Sequence, residues 1–155
     1  MPGKSIAHLK HDKHFARLIK KHGIPDIAKR KNPFQSLVRS IIYQQVSGGA
    51  AATILARFVE LFPKGKFPTP ETVWKIQVEK MREAGLSSQK TSYIKDLALK
   101  FSDGTVKHRS LARMTNPEIV EHLSQVKGVG VWTAHMFLIS TMNRPDVLPT
   151  GDLGI

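Results

Sequence analysis

The sequence contains no cysteine. That excludes disulfides, a cysteine nucleophile, zinc sites built on thiolates and an iron–sulfur cluster. No apolar run is long enough to span a bilayer. The opening Met1-Pro2-Gly3-Lys4 leads into a basic stretch with no apolar signal core, so an intracellular protein is expected, with nucleus and bacterial cytoplasm left open. Internal repeats, low-complexity segments and strand signals are all missing or scarce. Acidic side chains are also few, 12 Asp+Glu against 24 Lys+Arg.

That imbalance gives a formal charge of +12, which points to a polyanionic partner. Nucleic acid comes first, with acidic membranes and acidic proteins as alternatives. The 155 residues suffice for one domain, or one compact pair of lobes, with a real core.

Helix signals are frequent. Asn32-Pro33, Thr69-Pro70 and Asn116-Pro117 each place a capping side chain before a proline suited to a first helical turn. After Pro33 the apolar residues Phe34, Leu37, Val38, Ile41 and Ile42 follow i, i+3, i+4, i+7, i+8, a buried helix face. Ser47 can cap the next helix, and Ser87 or Ser88 another. Phe15, Leu18 and Ile19 suit a short helix before Gly23. Pro117 to about Gln125 and Val131 to about Met142 read as helices, and Pro145 and Pro149 impose an extended stretch. The chain is thus expected to be all-α, with roughly eight short helices.

The most informative string is Leu123-Ser124-Gln125-Val126-Lys127-Gly128-Val129-Gly130-Val131-Trp132-Thr133-Ala134. A helix ends, a tight Gly-Val-Gly turn follows, and a helix begins at once. Glycine at 128 and 130 permits positive φ and close backbone approach. The amides opening the second helix suit a phosphate. Gly-x-Gly alone also fits an ordinary helix connection with a glycine cap.

Four motifs in order make the string specific: Ile41-Ile42-Tyr43-Gln44-Gln45-Val46-Ser47, Ala84-Gly85-Leu86-Ser87-Ser88-Gln89-Lys90, the 127–134 stretch, and Arg144-Pro145-Asp146-Val147-Leu148-Pro149-Thr150-Gly151-Asp152. Together they resemble the helix-hairpin-helix DNA glycosylases, and most closely the 3-methyladenine DNA glycosylase II group. The resemblance runs from about Asn32 to the last residue. It implies a single all-α domain over residues 1–155, with two helical lobes flanking a DNA-binding cleft and the hairpin at about 123–134. It further implies a protein that acts as a monomer on double-stranded DNA carrying damaged bases.

In such a protein the hairpin holds a DNA phosphate, here through Lys127, Gly128, Gly130 and Thr133, with Ser87, Ser88 and Lys90 contacting backbone elsewhere. The backbone carbonyls of Ser124, Val126 and Val129 would bind Na+ or K+; the chemistry requires no cofactor. Asp152 takes the position of the catalytic aspartate facing the sugar; by itself, Gly151-Asp152 before an apolar residue equally reads as a helix N-cap. Strand-cutting members of the superfamily carry a Schiff-base lysine two residues after the second glycine, and Trp132 stands there. This implies a monofunctional enzyme that releases the base by hydrolysis. Trp132 heads the base-pocket candidates, followed by Tyr43, Phe34 and His135; core placement is the plainer reading for Phe34, and core or surface for His135. Gln45, or failing it Gln44, would fill the gap left by a flipped base.

The family continues past the aspartate with further helices, whereas this chain stops at Ile155, so part of the core is expected to be uncovered. Two other readings stay open: a non-catalytic hairpin module that binds undamaged duplex, and a basic RNA-binding domain, although no RNA motif is present.

Overall fold

A computed structural model of the chain describes residues 2–24, 32–63 and 66–154. The described residues form nine α-helices and one 3-10 turn, with no strand. The helices are α1 (Pro2–Leu9), α2 (Lys13–His22), α3 (Pro33–Tyr43), α4 (Gly48–Glu60), α5 (Pro70–Lys75), α6 (Val78–Glu83), α7 (Ser88–Ser102), α8 (Asn116–Ser124) and α9 (Val131–Ser140). The 3-10 turn, Leu111–Arg113, precedes α8. The helix start that Gly151-Asp152 suggests does not appear in the described residues, where 151–154 form turns; Ile155 lies outside them.

α3 is the central element. Asn32 caps it by accepting from the Gln35 amide at 3.1 Å, and Pro33 sits in the first turn, where its missing N–H costs nothing. Phe34, Leu37, Val38, Ile41 and Ile42 are all buried, as their spacing requires. Each such side chain contributes about 1.5–3 kcal/mol relative to exposure. α7 packs across both α3 and α5, and α9 also touches α3. α7 is capped by Ser87, whose Oγ accepts from the Lys90 amide at 3.2 Å. Lys95 on α7 donates to the carbonyls of Trp74 and Ile76, satisfying the end of α5.

α8 starts one residue earlier than its Asn-Pro signal suggests. Its cap is Thr115, not Asn116, because Glu118 closes a capping box: the Thr115 amide donates to Glu118 Oε2 at 2.7 Å, and the Glu118 amide donates to Thr115 Oγ1 at 3.5 Å. α2 forms where Phe15, Leu18 and Ile19 predict it, with Asp12 as its cap, but none of its residues is buried. α1 had no signal in the sequence.

Candidate nucleic-acid interface and carboxylate site

α8 and α9 pack as a pair joined by the turn at 125–130. The side chains of Val126 and Val129 are buried beneath it, and the Val129 amide closes it onto the Val126 carbonyl at 3.0 Å. Gly128 has φ +78°, and a Cβ there would meet the Tyr93 ring at 2.0 Å. Both conformation and space therefore demand glycine. Gly130 differs: it is extended, φ −90° and ψ 178°, and a Cβ would point into open space. The expectation of positive φ holds at 128 and fails at 130.

Gly130 is the N-cap of α9 and supplies no side chain to it. The first amides of α9, from Val131 to Thr133, point out of the turn with the positive end of the helix dipole behind them. Lys127 is exposed beside them. Thr133, in the first turn of α9, is largely buried.

A cavity of about 970 Å³ opens between this turn, the C-terminal end of α3 and the N-terminal half of α7. It brings together Tyr43, Gln44, Gln45, Lys127, Gly128, Gly130, Trp132 and Thr133, and the cation candidates Ser124, Val126 and Val129. Arg39, Gln89, Tyr93 and Met136 complete much of its wall.

Phe34 does not reach it. It lies nine residues before Tyr43, about 13 Å back along α3, and its ring packs in the core against Phe67 and Phe101 at centroid separations of 6.3 and 5.3 Å. His135 is also elsewhere. Val131, His135 and Leu138 form the i, i+4, i+7 stripe of α9 that faces a second groove lined by Asn116, Pro117, Val120 and Leu148, whereas Trp132, Thr133 and Met136 face the cavity.

The two glutamines after α3 behave differently. Gln44 Nε2 donates to the Gly128 carbonyl at 2.8 Å, which ties the α3–α4 turn to the hairpin and occupies Gln44. Gln45 is exposed and left-handed, φ +54°, a strained position for a non-glycine residue. Lys90 Nζ uses one of its three donors on the Ile42 carbonyl at 2.7 Å, and its partial burial lowers its pKa. Ser87 is engaged as a helix cap, and Ser88 is exposed.

Trp132, half exposed, donates from its indole Nε1 to Asp152 Oδ2 at 2.6 Å. The other carboxylate oxygen, Oδ1, accepts from the Gly154 amide at 2.8 Å, and the Asp152 amide donates to the Pro149 carbonyl at 2.9 Å. The Gly154 bond first, then the indole bond, hold the Asp152 carboxyl below its ordinary pKa, so it is ionised at neutral pH. The Gly154 bond is also the local contact expected of a capping aspartate.

Sequence reasoning missed Arg39, Tyr93, Asp96 and Lys100. The Arg39 guanidinium sits 4.2 Å from the Tyr43 ring centroid, so it already covers one face of that ring. The Asp96 carboxylate accepts from the Lys127 amide at 2.8 Å. No group of three or more His, Cys, Asp or Glu suited to a metal occurs among the described residues, and none of their helices is long and apolar enough to cross a membrane.

An all-α fold with a glycine turn between packed helices, an uncapped helix start and an ionised carboxylate beside it defines a helix-hairpin-helix protein. Residues 38–155 match the model of the HhH-GPD superfamily base excision DNA repair proteins, and the chain belongs to that family. It is 38% identical over 128 residues to DNA-3-methyladenine glycosylase 1 of Schizosaccharomyces pombe, covering 82% of this chain and 56% of that protein. It is 35% identical over 133 residues to the DNA-3-methyladenine glycosylase of Saccharomyces cerevisiae, covering 79% and 44%. The solved structure of a Schizosaccharomyces pombe 3-methyladenine DNA glycosylase in complex with abasic DNA superposes with a TM-score of 0.85 at 36% identity, over 97% of this chain and 75% of that one. The chain thus spans about half the length of these curated relatives.

Proposed function

We propose that this chain carries the DNA-binding and catalytic elements of a glycosylase that hydrolyses the N-glycosidic bond of alkylated purines, of the 3-methyladenine and 7-methylguanine type, in duplex DNA. The observation that carries this reading is the 2.6 Å bond from Trp132 to an ionised Asp152 next to an uncapped helix start. Breaking the bond between base and sugar builds positive charge on the deoxyribose. A fixed carboxylate stabilises that charge or guides water to the anomeric carbon. An alkylated purine is cationic and leaves readily, so little acid catalysis is needed.

In this reading the amides of Val131–Thr133 and the Lys127 side chain hold a phosphate, and Gln45 enters the stack as the base flips out. Trp132 stacks on the extruded base and orients the aspartate. Tyr43 is a weaker platform for a cationic base, since Arg39 already occupies one face of its ring. With Trp132 in place of a Schiff-base lysine, the product is an intact abasic strand. Ser124, Val126 and Val129 line the cavity, and their backbone carbonyls are neutral oxygen donors of the kind that suits Na+ or K+, although the Val126 carbonyl also accepts the Val129 amide at 3.0 Å. When bound, that ion would add positive charge beside the phosphate. In this reading the protein works inside the cell and as a monomer.

Incubating the full chain with methylated duplex and chromatographing the released bases tests the reading. Free 3-methyladenine or 7-methylguanine is expected, with strand breaks only after alkali. Nicking without alkali would contradict hydrolysis, and salt-sensitive binding with no base release would leave a non-catalytic DNA-binding module.

A further inference from the structure

α7 presents one polar stripe to the hairpin. Gln89, Tyr93, Asp96 and Lys100 stand at i, i+4, i+7 and i+11, a single face of the helix. Gln89 Nε2 donates to the Tyr93 hydroxyl at 2.8 Å, and the Tyr93 ring occupies the space a side chain at 128 would need. Asp96 Oδ2 accepts from the Lys127 amide at 2.8 Å and from Lys100 Nζ at 2.7 Å. Lys100 Nζ also donates to the Gln125 carbonyl at 2.5 Å. Two side chains one turn apart on α7 thus grip the turn on both sides of Val126.

This grip sets a carboxylate against the turn that, in the reading above, receives a phosphate. Alone, that charge would repel the ligand. Asp96 and Lys100 are 15% and 21% exposed, so solvent screens them only in part. Lys100 cancels the charge where it arises. With the Lys127 amide taken by Asp96, the amides that open α9 remain for a ligand.

We propose that Asp96 and Lys100 are positioning residues for DNA binding: Asp96 fixes the hairpin turn through the Lys127 amide, and Lys100 neutralises Asp96 so that the turn stays attractive to phosphate. The inference rests on the hairpin holding DNA. The position is structural and electrostatic together, and the two roles separate by experiment.

The test measures affinity of the full chain, across a salt series, for a duplex bearing a tetrahydrofuran abasic analogue, with thermal melting alongside. Lys100→Met is expected to weaken binding about tenfold, the size of one charge-assisted contact. Lys100→Arg keeps binding near wild type. The double variant Asp96→Asn with Lys100→Met recovers most of the loss, because the uncompensated charge is gone. A purely structural staple gives a double variant no tighter than Lys100→Met, and that result, or wild-type affinity in Lys100→Met, overturns the proposal. Hydrogen exchange at the Lys127 amide gives a readout without DNA: Asp96→Ala is expected to speed it at least tenfold, and unchanged exchange overturns the staple. Wild-type protein with no affinity for duplex would instead refute the reading of the hairpin as a DNA site, while the exchange result still decides the staple.

Discussion

The indole Nε1 of Trp132 lies 2.6 Å from Asp152 Oδ2, joining the hairpin helix to the chain 20 residues further on. The segment from Pro145 to Gly151 carries no helix, so this bond and the Gly154 amide are what orient the carboxylate. Trp132 therefore links two requirements of the proposed chemistry, an aromatic surface for the base and an aspartate kept ionised and aimed.

Removing the indole donor should move the acid limb of the pH profile. Both hydrogen bonds favour the charged carboxylate and depress its pKa. Trp132→Phe keeps the aromatic ring but loses the N–H, so the pKa rises toward the ordinary value. Base release should then begin to fail at a higher pH than in wild type as acid is added, with at least a severalfold slower rate at neutral pH. The same sign governs stability: the contribution is present at neutral pH and is lost as pH falls through the depressed pKa. Single-turnover rates measured from below the ordinary aspartate pKa up to neutral pH check this.

The two hairpin glycines should respond differently to alanine. At Gly128 a methyl group collides with the Tyr93 ring and the backbone is left-handed, so Gly128→Ala should cost about 2–4 kcal/mol. Gly130→Ala meets nothing and keeps an allowed backbone, so its melting temperature should stay close to wild type. Any loss in Gly130→Ala should appear in DNA affinity alone. Thermal melts and binding isotherms of both variants separate the two effects.

Gln45 and Gln44 should also part company. Gln45→Gly relieves a left-handed residue and should stabilise the free protein by up to about 1 kcal/mol. It should nevertheless slow base release from a fully paired duplex, and less so where the lesion is mispaired and already easy to extrude. Gln44→Ala should instead destabilise by about 1 kcal/mol, through the lost bond to the Gly128 carbonyl. Melting curves with release assays on paired and mispaired substrates test both statements.

The sequence made the helices legible because their caps and apolar stripes are local. Asn32, Ser47, Thr69 and Ser87 each cap the helix they announce. The turn at 123–134 and the placement of Asp152 followed from motifs whose order is specific. What could not be read is which side of a helix meets a distant segment. The packing of α7 against α3 brings the Lys90 ammonium to the Ile42 carbonyl, a contact that nothing local announces. His135 differs from Met136 by one position, enough to turn it to another groove. Asp96 and Lys100 resemble any solvated i, i+4 pair, since their partner is 25 to 31 residues away.

The most direct measurement compares wild type and Asp152→Asn for release of 3-methyladenine and for affinity to a duplex holding an abasic analogue. If the carboxylate acts on the sugar, release should fall by at least about a hundredfold, while affinity stays within a few-fold of wild type. An Asp152→Asn protein that releases the base as fast as wild type would show that the carboxylate held by Trp132 takes no part in the chemistry.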